Sequence, residues 1–404
     1  MSLPPLTPDQ LVKPRHFELR IALLFAALYI PAGIHLPYFP LWLAEAGFGP
    51  GEIAVILSAP MFLRVLTTPL ITAYADKASD RANVLLGLVA VSVMASLGYF
   101  LTPAYGVVLG VSLVLAIVWT PHAPLTDSLA LSGVRRFGCD YSRMRVWGSA
   151  AFFIANFAGG LVLASTGAGS VPVMITAGLA LTLAAALFAP RLGRPRLPSP
   201  LSAASLQDAG PALFSRRFML FAVGAGLVAA SHALVYSFGS IYWRSIGISE
   251  AMVGLLWAWA VVAEVAVFAA FPRLFARSTA GGLLTMAGIA AVIRWTAFPL
   301  IWPIGLDVAG FLVAQSLHGF STGLVLLGVQ KMIAETVPDH RFGAAIGVAF
   351  FANGFCMAAL TLVSGSIYAQ MGPDGFYVMA LVAGLGLCLV LLARRSAPER
   401  RLGR

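Results

Sequence analysis

The sequence predicts an all-α membrane protein, with twelve transmembrane helices arranged in two pseudo-symmetric six-helix bundles. Hydrophobic residues make up 59% of the 404 residues and charged residues only 10%, and the mean hydropathy is +0.89. A soluble domain carries about 25% charged residues, so this chain has too few to cover a soluble surface. Its apolar residues form runs of about 20, the length of a membrane-spanning helix. Because the bilayer core offers no water to the backbone, each run must be helical.

Twelve such runs follow one another, and each is expected to cross the membrane once. The first run is too long to be a cleaved signal peptide, and further apolar runs follow it. The expected spans cover residues 18–44, 52–75, 83–101, 104–132, 143–165, 170–190, 217–243, 250–276, 281–301, 305–334, 342–370 and 374–393.

A composition break in the middle of the chain divides the spans into two sets of six. Residues 191–216 are rich in Pro, Ser and Arg, which predicts a cytoplasmic linker. We therefore expect an N-terminal six-helix bundle over 1–190 and a C-terminal six-helix bundle over 217–404.

The two halves repeat each other weakly, which indicates duplication. A shift of about 200 residues places Arg64 opposite Glu264, and a similar shift places His122 opposite His318. Repeats with a binding site near the membrane midplane between them are a transporter architecture. Close helix packing is favoured by pairs of glycines one turn apart. Such pairs are Gly106/Gly110, Gly319/Gly323 and Gly343/Gly347.

The net charge of +10 reflects membrane orientation rather than nucleic-acid binding. Most of the 26 Lys and Arg residues lie in the tails or in every second loop, whereas the intervening loops carry essentially one, Arg244. This asymmetry places both termini in the cytoplasm, and an even number of spans agrees with it. We expect a monomer in a bacterial inner membrane, with both the amino and the carboxyl tail on the cytoplasmic side.

Several function classes are excluded by missing motifs. No Lys follows a Gly, so there is no phosphate-binding P-loop and ATP is not the energy source. HExxH, GxSxG and paired-Cys metal spacings do not occur either. We therefore expect no enzyme activity, cofactor or metal, and interpret the three cysteines as apolar packing residues.

Ionisable residues inside the spans are the candidates for function. Each costs at least ~2.5–3.5 kcal/mol at the bilayer centre, so each must be paired or face a water-filled path. Asp127 and Arg145 lie on consecutive antiparallel helices and either bind substrate together or form a structural ion pair. Arg64, in the second span, either binds an anionic substrate or pairs with an acid elsewhere in the bundle.

The C-terminal half contributes a second set of candidates. Glu264 and Arg294 lie in the middle of the eighth and ninth spans, where a glutamate can carry a proton across the membrane. The alternative is a fixed salt bridge between them. The predicted proton-coupling residues are therefore Glu264, Arg294 and, from the N-terminal half, Asp127.

Histidines and aromatic residues complete the predicted substrate site. His232 and Tyr236 share one face of the seventh span because they are four residues apart, and His318 lies in the tenth. Trp257 is positioned to stack on a substrate ring, or else it packs between helices. The two remaining span histidines are interpreted as hydrogen-bonding groups between helices: His35 and His122.

The loop between the second and third spans resembles a motif of the major facilitator superfamily. It reads Asp76-Lys77-Ala78-Ser79-Asp80-Arg81 and matches G-x-x-x-D-R/K-x-G-R/K, with Thr72 and Ser79 in place of the glycines. Four further stretches look like the phenylpropionate permease family, a bacterial branch close to the lactose and nucleoside symporters. They are Pro124–Ala130, Asp140–Phe152, Ser240–Trp243 and Val262–Val265.

This resemblance implies a twelve-helix transporter that works by alternating access and proton-driven uptake. In lactose permease, an acid and an Arg on helices 4 and 5 hold the substrate, and Asp127 and Arg145 match them. A Glu, an Arg and a His on helices 8, 9 and 10 serve coupling and binding, and the matching residues are Glu264, Arg294 and His318. Ser321 stands where that permease has a second Glu, so either Glu264 or Asp127 must carry the proton or coupling is altered. Asp76, Lys77 and Arg81 are expected to form a gate or latch at the cytoplasmic helix ends.

The sequence thus predicts a proton-coupled symporter that imports a small organic solute, and the resemblance implies an aromatic carboxylate such as 3-phenylpropionate. If all are ionised, three span arginines against two acids leave a positive interior that suits an anion. The alternatives are a sugar or nucleoside proton symporter and a drug or metabolite efflux antiporter. A membrane sensor on the same scaffold would bind a ligand without moving it.

Overall fold

The computed structural model describes residues 11–197, 199, 214–337 and 342–396. The described residues form fifteen α-helices and no β-strand, so the predicted all-α class is confirmed. The helices are α1 Phe17–Glu45, α2 Pro50–Lys77, α3 Arg81–Ser96, α4 Tyr105–Val118, α5 His122–Phe137, α6 Tyr141–Thr166, α7 Val171–Leu187, α8 Arg216–Ala230, α9 Ala233–Ser245, α10 Glu250–Leu274, α11 Ala280–Ala297, α12 Asp307–His318, α13 Leu324–Thr336, α14 Phe342–Met371 and α15 Gly375–Arg395.

Eleven segments of the described chain are long and apolar enough to cross a membrane. The last of them, Gly343–Arg395, is 53 residues long and contains α14 without its first residue and all of α15. As one straight helix it would be about 80 Å long, against a hydrocarbon core of about 30 Å. The short turn Gly372–Asp374 interrupts it, with Gly372 at a φ of +54°. The count of twelve spans, which requires this segment to cross twice, stays a prediction.

In the part of the chain that the structure describes, the fourth, seventh and tenth spans are each divided into two helices. The fourth changes from α4 to α5 around Trp119–Pro121, and the seventh changes from α8 to α9 at Ser231–His232. The tenth passes from α12 to α13 through a π-helical turn, Gly319–Gly323. Irregular backbone of this kind is tolerated at membrane depth where protein or a water-filled cavity satisfies its polar groups.

Contacts within the chain divide it into two compact units. Unit 1 contains Met1–Ala203 and Tyr236–Ala258, and unit 2 contains Ala204–Val235 and Trp259–Arg404. The end of the seventh span and the start of the eighth, Tyr236–Ala258, thus belong with the N-terminal half of the chain. The bundle boundaries at 190 and 217 stay predictions, and residues 198 and 200–213 of the predicted linker lie outside the described residues.

In unit 1, α1 packs directly against α6 and α7. Glycines permit these close approaches: a Cβ added to Gly33 would lie 2.9 Å from the Cβ of Ala155, and one added to Gly178 would lie 3.0 Å from Pro31. The buried core of this unit includes Phe17, Phe25 and many aliphatic side chains. This packing holds one face of α1 toward the cavity described below.

In unit 2, α8 packs against α14 and α15, and α11 packs against α13 and α15. Gly224 and Gly386 face each other so closely that a Cβ on either would meet the other's carbonyl oxygen at 2.9 or 2.7 Å. Gly319 is tighter still, since its added Cβ would lie 2.3 Å from the carbonyl oxygen of Ala263. That contact fixes the π-helical turn against the helix that carries Glu264.

Candidate functional site

Unit 1 contains a cavity of about 420 Å³, a size typical of small-molecule sites. The helices that supply its wall are α1, α2, α4, α5, α6 and α9, together with the short helical turn Leu97–Phe100 after α3. Most of the wall is apolar or aromatic. Its aromatic residues other than histidine are Tyr29, Phe39, Tyr99, Trp119, Phe152 and Tyr236.

Arg64 on α2 is the one Lys, Arg, Asp or Glu side chain among the described residues of this wall. It forms no ion pair or hydrogen bond with any residue in the described ranges. A guanidinium inside a membrane is costly unless a counter-charge or water meets it. The wall therefore presents one cation that an anionic ligand can neutralise.

Ring side chains lie close together in the same wall. The imidazole of His35 is stacked on the ring of Phe39, with centroids 4.5 Å apart, and meets the ring of Trp119 edge-on at 5.4 Å. Phe39 in turn lies 5.3 Å from the ring of Tyr99. These separations are those of favourable aromatic pairs, so a ligand ring can extend the cluster.

The predicted aromatic residues Tyr236 and Trp257 have different positions. Tyr236 lies in the cavity wall, where its ring is stacked on that of Trp257 at 6.0 Å. Trp257 is buried behind it and donates a hydrogen bond from Nε1 to Oγ of Ser240 at 2.9 Å. Trp257 therefore supports Tyr236 rather than forming part of the wall.

Asp127 and Arg145 are brought near each other but do not form an ion pair within 4 Å in the described structure. The hydroxyl of Tyr141 donates to Oδ1 of Asp127 at 2.9 Å, and Nη2 of Arg145 donates to the hydroxyl of Tyr29 at 2.5 Å. The Arg145 guanidinium also lies over the Tyr29 ring, with Cζ 4.4 Å from its centroid. Since Tyr29 lines the cavity and Arg145 does not, Arg145 positions a wall residue.

Unit 2 contains a buried polar cluster that includes the predicted Glu264, Arg294 and His318. Nη1 of Arg294 donates to Nδ1 of His318 at 3.0 Å, and Nη2 donates to Oε1 of Gln315. On its other side, Nε2 of His318 lies 4.0 Å from Oε2 of Glu264. His318 thus lies between the acid and the arginine.

His232 belongs to this same cluster, at the break between α8 and α9. Its Nε2 lies 2.9 Å from Oγ of Ser321, and its ring centroid lies 5.5 Å from that of His318. Ser321 is in the π-helical turn, a type of distortion that is frequent at functional sites. Ser231, the neighbour of His232, accepts a hydrogen bond from Nε1 of Trp295 at 2.9 Å. Two helix irregularities therefore place polar side chains against each other.

Two of the predicted latch residues, Asp76 and Arg81, form an ion pair that contacts the start of the linker. Arg81 pairs with Asp76, with Nε 2.8 Å from Oδ1, and also donates to the carbonyl of Leu197. Oδ2 of Asp76 accepts from the backbone N–H of Ser199 at 2.8 Å. Lys77, the third predicted residue, is exposed. Within unit 1, Asp76 and Arg81 therefore bind residues that follow the sixth span.

A model of the MFS_1 like family matches residues 16–379. The chain belongs to this family. This MFS_1 like protein is 29% identical over 369 residues to the probable 3-phenylpropionic acid transporter of Escherichia coli, covering 90% of this chain and 94% of that one. It is 26% identical over 382 residues to the maltose permease of Geobacillus stearothermophilus, covering 93% and 94%. A solved structure of a mutant nucleoside transporter NupG has the same fold, with a TM-score of 0.81 at 16% identity over 94% of this chain and 99% of that one.

These comparisons confirm the resemblance to the major facilitator superfamily. Members of the superfamily move small molecules across membranes and are not enzymes, so this MFS_1 like protein is a multi-pass membrane transporter of a small molecule.

The cavity of unit 1 contains two of the predicted substrate-binding residues, Arg64 and Tyr236. Asp127, Arg145 and Trp257 lie outside the wall in unit 1, and His232 and His318 lie in the polar cluster of unit 2.

Proposed function

We propose that this protein is a proton-coupled symporter that imports a small aromatic carboxylate, such as 3-phenylpropionate, by alternating access. The observation that carries the proposal is Arg64, which stands without a described counter-charge in a cavity wall of aromatic and aliphatic side chains. The protein is further proposed to act as a monomer in a bacterial inner membrane, with both termini in the cytoplasm. The tails themselves, residues 1–10 and 397–404, lie outside the described residues.

The chemistry of the wall favours an aromatic acid over a sugar. A carboxylate can accept two parallel hydrogen bonds from the Arg64 guanidinium, while the ligand ring packs among the aromatic side chains. The described wall contains no Asp, Glu, Asn or Gln, the residues that would bind several sugar hydroxyls at once. The relative in Escherichia coli is named a probable 3-phenylpropionic acid transporter, which supports the same substrate class.

A nucleoside is the strongest competing substrate, because its base would also stack on the aromatic wall. It is neutral, however, and would leave Arg64 without a counter-charge. A sugar remains an alternative substrate because one of the relatives is named a maltose permease. An efflux antiporter differs from these symporters in the direction of transport.

Proton coupling is proposed to use the polar cluster of unit 2. The side chain of Glu264 is 31% exposed and is the acid of that cluster, so it is the proposed proton carrier. Nδ1 of His318 accepts from Arg294, because a guanidinium only donates. In neutral His318 the ring proton is then on Nε2, which faces Glu264. Gain or loss of a proton at Glu264 therefore changes the interactions that His318 and, through it, Arg294 make.

Transport by purified protein in proteoliposomes tests this proposal. Initial uptake rates of labelled 3-phenylpropionate, maltose and uridine are compared with and without an inward proton gradient. Rates in protein-free liposomes are subtracted, because the neutral form of the acid crosses a bilayer unaided. Protein-dependent, gradient-stimulated uptake of the acid alone supports the proposal. Uptake of maltose or uridine instead overturns the substrate, and acid uptake that ignores the gradient overturns the coupling.

A further inference from the structure

The cavity of unit 1 has a hydroxyl pair in its wall, in addition to Arg64. The hydroxyl of Tyr99 lies 3.0 Å from Oγ of Ser112, and both residues line the cavity. They are buried, with exposed fractions of 4% and 6%. Tyr99 is held in place by its ring contacts with Phe39 and Trp42, at 5.3 and 5.6 Å.

The pair has one hydroxyl proton more than its mutual bond uses. Two hydroxyls carry two protons, and one of these is donated within the pair. Other buried hydroxyls of this unit, such as Ser92, Thr126 and Ser128, donate to the carbonyl one turn earlier in their helix. Neither Tyr99 nor Ser112 makes a second hydrogen bond within the described ranges. A buried donor without an acceptor is unfavourable, so a ligand that supplies an acceptor is bound preferentially.

Arg64 and Ser112 lie at different distances from the starts of neighbouring helices. The helices α2 and α4 pack against each other and, being two spans apart, run in the same direction. Arg64 lies 14 residues after Pro50, and Ser112 lies seven residues after Tyr105. At 1.5 Å per residue, their distances from the first residue of their own helix differ by about 10 Å. An offset of this size is comparable to the length of an aromatic acid from its carboxylate to the far end of its ring.

We propose that the cavity selects aromatic acids that carry a hydroxyl on the ring end opposite the carboxylate, as in 3-(4-hydroxyphenyl)propionate. This inference rests on the proposed function and refines its substrate class. The carboxylate binds Arg64, the ring packs against His35 and Phe39, and the ring hydroxyl accepts the free proton of the Tyr99–Ser112 pair. A site that hydrogen-bonds a substrate hydroxyl discriminates strongly against the analogue that lacks it, because its own polar groups are then left unpaired.

Competition with labelled 3-phenylpropionate in proteoliposomes measures this selectivity. The unlabelled competitors are 3-(4-hydroxyphenyl)propionate and 3-(4-methylphenyl)propionate, which have similar shapes and differ in the hydrogen bond. For the wild type, we expect the hydroxylated acid to inhibit at a concentration at least about tenfold lower. Ser112→Ala and Tyr99→Phe should each reduce that ratio to about threefold or less. Ser128→Ala is the control, because Ser128 is equally buried but bonds within α5 and does not line the cavity.

The possible outcomes separate this inference from the proposed function. If 3-phenylpropionate is taken up but both competitors inhibit the wild type at similar concentrations, the proposed hydroxyl site is contradicted. The proposed transport of aromatic acids is then unaffected. A ratio that survives both Ser112→Ala and Tyr99→Phe also overturns the site, since the selectivity then arises elsewhere. If 3-phenylpropionate is not taken up at all, the proposed function fails, and this inference fails with it.

Discussion

Nδ1 of His318 accepts a hydrogen bond from Nη1 of Arg294 at 3.0 Å, while the opposite ring nitrogen lies 4.0 Å from Glu264. This arrangement makes Glu264 the acid that communicates with Arg294 through a histidine. We expect Glu264→Gln to retain substrate exchange but to lose gradient-driven accumulation, because the amide binds like the protonated acid and cannot release a proton. Counterflow and proton-driven uptake, measured on the same proteoliposomes, distinguish the two activities.

The matched control for that variant is Glu52→Gln. Glu52 caps the start of α2, with Oε2 2.9 Å from the backbone N of Gly49, and does not belong to the cluster. The Glu52→Gln substitution should leave both substrate exchange and gradient-driven accumulation unchanged. Accumulation by Glu264→Gln at the wild-type level would remove Glu264 from coupling and leave Asp127 as the candidate.

Arg145 is predicted to act through Tyr29, to which it donates a hydrogen bond. We expect Arg145→Gln to raise the KM for uptake by about tenfold, equivalent to ~1.4 kcal/mol. Tyr29→Phe removes the accepting hydroxyl and should raise the KM by a smaller factor. If the residues act as one unit, the double variant should be little worse than Arg145→Gln alone. Fully additive effects would instead indicate that Arg145 contacts the substrate by itself.

Gly319 is expected to be intolerant of a side chain. Its added Cβ would lie 2.3 Å from the backbone oxygen of Ala263, so Gly319→Ala must separate α10 from the π-helical turn. We expect a loss of about 1–3 kcal/mol of stability, as for other overpacked sites, and a lower thermal midpoint in detergent. Gly110→Ala is the control, because nothing lies within 4 Å of its added Cβ. Equal midpoints for the two variants would show that the close packing is not maintained in the protein.

The ion pair between Asp76 and Arg81 is expected to protect the start of the linker from proteolysis. The pair is almost fully buried, with side-chain exposures of 11% and 3%, and removing one partner of such a pair costs about 3–5 kcal/mol. Arg81→Gln should therefore lower the thermal midpoint and accelerate tryptic cleavage after Arg196, which precedes Leu197. Lys77→Gln, a neutralisation of the exposed neighbour in the same loop, should change neither. Identical cleavage rates in the two variants would contradict a role for Arg81 in holding the linker.

Much of the fold could be predicted because membrane insertion imposes a simple rule on the sequence. The first span is predicted at residues 18–44 and is Phe17–Glu45 in the structure. The two agree because polar residues on both sides mark the ends of a long apolar run. The breaks at Ser231–His232 and Gly319–Gly323 could not be predicted. They depend on hydrogen bonds between distant spans, such as that of His232 with Ser321, and hydropathy contains no information about them.

Two residues of the cavity wall are predictable from the sequence: Arg64 from its charge, and Tyr236 because it shares a helix face with His232. Arg64 stood out as an ionisable residue in an apolar run, and it lines the cavity. The sequence does not distinguish Tyr29 and Tyr141 from other aromatic residues of the spans, yet their hydroxyls form hydrogen bonds with Arg145 and Asp127. The spacing of Tyr29, Leu36 and Phe39 on one face of α1 was the available signal for the wall.

Binding of 3-phenylpropionate and its neutral amide, 3-phenylpropionamide, to the wild type and to Arg64→Gln tests whether Arg64 binds the substrate carboxylate. Calorimetry in detergent gives all four affinities, with Arg273→Gln, an exposed arginine at the end of α10, as the charge-matched control. A charge-assisted pair is worth about 1.5–3 kcal/mol, so the wild type should bind the acid at least about tenfold more tightly than the amide. Arg64→Gln should abolish that preference while changing amide affinity little. An Arg64→Gln protein that binds the acid as tightly as the wild type would contradict this role of Arg64, because the carboxylate would then be bound elsewhere.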